Sequence, residues 1–140
     1  MTPRGARSSW VVLSAVVVGF AALVVGCAKV GPVTQITVPD VKSVTGTWKG
    51  LVYRSGFEPD SVTLTIKDDG SFDVVSAQRG GSSRGRGKVA ISDGRILLEG
   101  TEGGRGVATL LKNPAGDFVM NVEGTLSDNS TLTAQLFPIR

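Results

Sequence analysis

From Gly46 onward the chain alternates apolar and polar residues in short runs broken by turn-forming residues. Trp48, Gly50 and Val52 fall on one side of the first run, with Thr47, Lys49, Leu51 and Tyr53 on the other. The same alternation sets Val62, Leu64 and Ile66 against Ser61, Thr63 and Thr65, then Phe72 and Val74 against Ser71 and Asp73. It continues through Val89 and Ile91, Ile96 to Glu99, Val107 to Leu111, Phe118–Met120–Val122 and Leu132–Ala134–Leu136. A period of two marks strands with one buried face. Asp69-Gly70 suits a two-residue hairpin with positive φ, and Ser92-Asp93-Gly94, Glu102-Gly103-Gly104, Asn113 to Gly116 and Asp128-Asn129 supply further turns.

Eight strands in the 92 residues from Gly46 to Phe137 leave about 11.5 residues for each strand and turn, inside the roughly 8–12 spacing of all-β domains. Short sequential connections predict an all-β, antiparallel up-and-down barrel, whose closure would leave no exposed edge; a two-sheet β-sandwich is the alternative. The inward set is bulky, so the interior should be mostly filled, with at best a shallow pocket at one end. Outward Thr, Ser, Lys and Asp positions do not make the lipid-facing band of a membrane-spanning barrel.

Ahead of this domain, Met1 to Ser9 carries Arg4 and Arg7 without an acid, and Trp10 to Val25 is apolar apart from Ser14 and small residues. That order is expected of a helical secretory signal peptide. Val24-Val25-Gly26-Cys27 resembles the bacterial lipobox. The resemblance implies cleavage between Gly26 and Cys27 and lipidation of Cys27, anchoring the protein to a membrane. An uncut apolar anchor is the other reading, at the short end of the roughly 17–25 residues that span a bilayer. With Ala28 after the cysteine, the resemblance implies the periplasmic face of the outer membrane in a two-membrane bacterium, and otherwise the outer face of the plasma membrane.

The expected organisation is a signal peptide over residues 1–26, a lipidated cysteine and tether over 27–45, and the β domain over 46–140. Ala28 to Val38 reads as a flexible linker, although β-branched Val33 to Val38 could add an edge strand. Pro39-Asp40 could start one helical turn that places Val41 and Val44 on one face and plugs a barrel end; an irregular loop is the alternative.

Gly46-Thr47-Trp48 resembles the G-x-W motif that opens the first strand of lipocalins and related calycin-like barrels. The resemblance implies that Trp48 packs across the closed end, and that the domain is a non-catalytic binding module for a small apolar or amphipathic ligand. Lys49 departs from the aromatic residue usual after that tryptophan, and no second lipocalin motif is present.

Composition narrows the chemistry. The chain has 15 basic and 12 acidic residues, no histidine and a single cysteine. These counts exclude an intramolecular disulfide, a Cys/His zinc site and a His-based triad. Arg4 and Arg7 lie in the leader and all acids beyond it, so thirteen basic residues face twelve acidic ones in the remainder. Neither a nucleophile with its base nor a metal cluster can be assembled by spacing, so neither enzyme activity nor a cofactor is expected. Asp68 and Asp69 read as turn residues.

Arg79 to Lys88 contains Gly80-Gly81-Ser82-Ser83 with Arg79, Arg84, Arg86 and Lys88. It reads as a mobile, solvated hairpin loop at a ligand mouth or a partner surface for anionic lipid, cell-wall polymer or another envelope protein. One such stretch without interleaved aromatics, behind an export signal, does not point to nucleic acid. Phe57 is either a lip residue of the mouth or folds back onto the core. The second function class is therefore an accessory protein that binds a partner through its loops, and closure favours a monomer.

Overall fold

Each alternating run forms a strand that pairs with its sequence neighbours. The computed structural model describes residues 31–140; the segment expected to be a signal peptide, with Gly26 and Cys27, lies outside the described residues. The strands are β1 (Thr34–Ile36), β2 (Gly46–Arg54), β3 (Asp60–Ile66), β4 (Ser71–Gln78), β5 (Gly81–Ser92), β6 (Arg95–Gly100), β7 (Arg105–Lys112), β8 (Phe118–Thr125) and β9 (Thr131–Pro138). Strands β2 to β9 follow one another around an antiparallel sheet, and β9 pairs back onto β2, with Gly50 opposite Leu136 and Val52 opposite Ala134. The result is a closed eight-stranded up-and-down barrel.

β1 replaces the expected flexible linker over three residues, realising the edge-strand alternative. It pairs with the second half of β7, Thr34 to Lys112 and Ile36 to Leu110, where β6 no longer reaches. The Val38 amide then donates to the Gly94 carbonyl at 3.0 Å. Val41–Val44 forms a 3₁₀ turn capped by Asp40, whose carboxylate accepts from the Ser43 amide at 2.9 Å. The turn presses Val44 into the barrel end, and the Trp48 indole Nε1 donates to the Val44 carbonyl at 3.0 Å. An aromatic ring that size closes the end only if its one polar atom finds an acceptor, which the turn supplies.

Four hairpins share one turn geometry. At Lys67–Ser71, Gly100–Gly104, Asn113–Asp117 and Leu126–Ser130, the first residue's amide donates to the fifth residue's carbonyl, and the fourth residue's amide donates to the first's carbonyl. The fourth position has positive φ in each, at Gly70, Gly103, Gly116 and Asn129. This is a type I turn closed by a left-handed bulge residue. It corrects the expectation at Asp69-Gly70, where only Gly70 is left-handed. The two-residue turn with both φ positive occurs instead at Asp93-Gly94.

The largest sequence expectation to be overturned is Arg79 to Lys88. It is not a loop: β5 runs from Gly81, paired with β4 from Gln78–Gly81 down to Ser71–Lys88, and only Arg79-Gly80 turns. Pairing without burial explains the difference, since Gly81 to Arg86 are all exposed and carry no apolar signature. Phe118, expected inward, is 38% exposed at the barrel's end, where the Lys112 ammonium lies 5.7 Å from its ring centroid.

Val38, Val44, Ile66, Met120 and Leu136 are almost wholly buried, concentrating the core toward the Trp48 end. No polar side chain is buried among the described residues. Trp48→Ala should lower the free energy of unfolding by about 3–5 kcal/mol, measured by urea denaturation followed by circular dichroism.

Candidate functional site

The barrel's two ends differ because the inward positions differ. At the Trp48 end they are large; toward the other end β5, β6, β7 and β8 place glycine in the inward phase. Gly85 and Gly87 lie opposite Val74 and Phe72, Gly106 lies opposite Leu98 and Gly124, and Gly100 lies opposite Gly87. At Gly87 a Cβ would stand 2.0 Å from the Glu99 carbonyl oxygen, so the close approach of β6 requires glycine there. The remaining inward glycines carry no side chain into the lumen.

The consequence is a cavity of about 580 Å³ at the end opposite Trp48. Phe72, Val74, Leu98, Val122 and Leu132 supply its apolar lining, and Gly85, Gly100, Gly106 and Gly124 expose peptide surface between them. Glu102, Leu126 and Ser127, from the β6–β7 and β8–β9 turns, and Thr125 at the end of β8 border the mouth. The interior was expected to be mostly filled with a shallow pocket; half of that holds, because the core fills the Trp48 end and the opposite end stays open. A volume in the roughly 300–1,000 Å³ range suits one small molecule. The apolar part of the lining can remove water from an apolar ligand, while Asp73, Arg84, Arg86, Glu102 and Arg105 put charged groups around it.

The candidate residues named from sequence separate. Arg84 and Arg86 border the cavity, on the outer phase of the wall because Gly85 and Gly87 hold the inward phase. Arg79 forms the hairpin tip. Lys88 lies lower on β5, between Ser71 and Glu99, away from the mouth. Phe57 is at the open end but off the cavity wall and 68% exposed, so it does not fold back onto the core. Its ring instead meets the Arg54 guanidinium, 4.9 Å from the centroid, and Asp60 holds that guanidinium at 2.9 Å. Trp48 is buried at the opposite end, its indole bonded to the Val44 carbonyl. The cavity-lining Leu98 and the inward glycines Gly85, Gly100 and Gly124 were not singled out from the sequence, and Leu132 was read only as an inward core position.

Charges around the barrel serve turns. Asp69 and Asp128 each accept from the amide and hydroxyl of the serine two residues on, Ser71 and Ser130, and these bonds hold their carboxyls below the usual range. Asp40 is lowered in the same way by Ser43. Lys67 is raised by its hydrogen bond to Asp73, 2.8 Å away on the outer face. Among the described residues no three His, Cys, Asp or Glu side chains converge as a metal site.

No protein-family model matches the chain, and no curated protein matches it. Among solved structures it is similar to a redesigned β-barrel, with a TM-score of 0.53 and 17% identity over 75% of this chain and 99% of that one. The likeness establishes the barrel fold.

The depressed aspartates set a pH dependence. Their stabilisation is complete above the unfolded carboxylate value of about 3.9 and is lost as pH falls through the lower folded values. Unfolding free energy should therefore drop below about pH 4, and a combined Asp40→Asn, Asp69→Asn, Asp128→Asn variant should show a shallower drop in denaturation curves across pH 2–6.

Proposed function

We propose that this chain is a lipid-anchored envelope lipoprotein whose barrel is a non-catalytic binding module for one small apolar or amphipathic molecule. The observation that carries the reading is the 580 Å³ cavity, lined by Phe72, Val74, Leu98, Val122 and Leu132 with charged residues around them, and open at one end of an otherwise filled barrel. Burying a ligand there would contribute about 0.8 kcal/mol per methylene removed from water.

Chain connectivity supports an orientation. Gly31 lies against Pro114, in the β7–β8 turn at the Trp48 end. Cys27 precedes Gly31 by four residues, which span at most about 14 Å. A lipid on Cys27 would therefore hold the closed end toward the membrane and turn the cavity mouth away from it. Val33, Phe118, Phe137 and Ile139, the exposed large apolar residues of the closed end, suit that proximity.

Two measurements test the reading. The uncharged fluorophore N-phenyl-1-naphthylamine should brighten on binding the protein, and Leu132→Trp, which fills the cavity, should weaken that binding at least tenfold while the β-sheet circular dichroism is retained. Absence of binding to the parent protein would remove the ligand reading. For the anchor, Cys27→Ser should abolish incorporation of labelled palmitate and leave the leader uncut, with the barrel still folded; unchanged labelling would exclude lipidation at this cysteine.

A further inference from the structure

β5 is twice the length of β6, and the difference leaves a strand edge unpaired. Pairing between β5 and β6 runs from Ser92–Arg95 to Gly87–Gly100 and stops. Above that level β5 continues through Gly81 to Gly85, paired on its β4 side alone. The two-residue turn makes Gln78 and Gly81 a hydrogen-bonded pair, so Gly81, Ser83 and Gly85 direct their backbone groups at β4. Ser82 and Arg84 direct theirs to the opposite side. The phase is fixed independently by the Arg86 carbonyl, which accepts from the Thr101 amide at 2.9 Å on that same side. Beyond Arg86 the edge presents the amide and carbonyl groups of Ser82 and Arg84 to solvent.

We propose that this edge is a docking site for an extended, acidic peptide segment, which adds as a strand beside β5 above the β6–β7 turn. Backbone groups supply the pairing, and charge selects the partner. Arg79, Arg84 and Arg86 crowd one hairpin and form no salt bridge among the described residues. The nearest cross-strand acid, Asp73 opposite Arg86, is already held by Lys67. A second copy of the chain would bring like charges together along the edge, which disfavours self-pairing. An anionic lipid could neutralise the guanidiniums but leaves the strand's amides and carbonyls unpaired. An added strand satisfies both. Period two then sets its pattern: acidic residues on the outer phase beside Arg84 and Arg86, apolar ones on the inner phase over the cavity mouth. This site adjoins the cavity mouth at Arg84, Gly85 and Arg86, but it binds through the strand edge and does not require a small ligand in the cavity.

The test uses the full chain in neutral detergent micelles and two labelled ten-residue peptides, one alternating Glu with Val and one alternating Lys with Val. The acidic peptide should bind at least tenfold tighter by fluorescence anisotropy and slow hydrogen exchange at the Ser82 and Arg84 amides at least tenfold. Ser82→Pro removes only a donor that faces away from β4, so it should abolish binding with the barrel intact. Equal binding of the two peptides, or no added protection at the two amides, overturns the proposal. So does protection by phosphatidylglycerol vesicles alone, or protection that rises with protein concentration in the absence of peptide.

Discussion

The pairing of β2 with β9 is the constraint on which the rest depends. It joins residues 46–54 to residues 131–138, the two ends of the barrel's chain, and without it both strands would present open edges. Every other barrel pairing is between sequence neighbours. Closure is therefore the one contact whose loop entropy spans the whole domain, and the plug of Val44 and Trp48 sits where it can reinforce it. Gly50 permits the closest approach at this seam, since a Cβ there would stand 1.8 Å from the Gln135 carbonyl oxygen. The Ile139 amide extends the same seam by donating to the Thr47 carbonyl at 2.9 Å.

A second relation follows from how the interior is divided. Large aliphatic residues at the closed end supply the buried area that offsets chain entropy, which frees the open end to forgo side chains. Glycine there does two things at once: it lets strands coil tightly around a small circumference and it leaves a lumen. The cavity is thus a by-product of the curvature that closure demands, and its apolar lining comes from the residues that alternate with those glycines around the wall.

Much of this was legible in the residues. Period-two runs located eight barrel strands, Trp48 marked the closed end, and Asp40 with Val41 and Val44 announced the capped turn. What pattern could not mark was structure without burial. Gly81 to Arg86 pair fully with β4 yet bury nothing, so their Gly/Ser/Arg composition read as a loop. The cavity escaped for the converse reason: an inward glycine has no side chain to declare its phase. Gly85, Gly100, Gly106 and Gly124 nonetheless keep strict register with Val74, Leu98 and Val122, and that phase is the signal available in the sequence. Phe57 was ambiguous because its partner is a cation, Arg54, and not the core.

β1 has a mechanical consequence. Its three pairs with β7 lie between residue 31 and the barrel, and a pull directed away from the sheet loads them one after another, from Thr34 toward Ile36. Under that load the pairs peel, which takes less force than shearing them together along the strand axis. Release of β1 would free residues 31–37, up to about 23 Å of contour, before tension reached Val38, which is buried and bonded to Gly94. β1 therefore acts as a short strap that takes up such a load before the buried Val38 and the Val44 plug do.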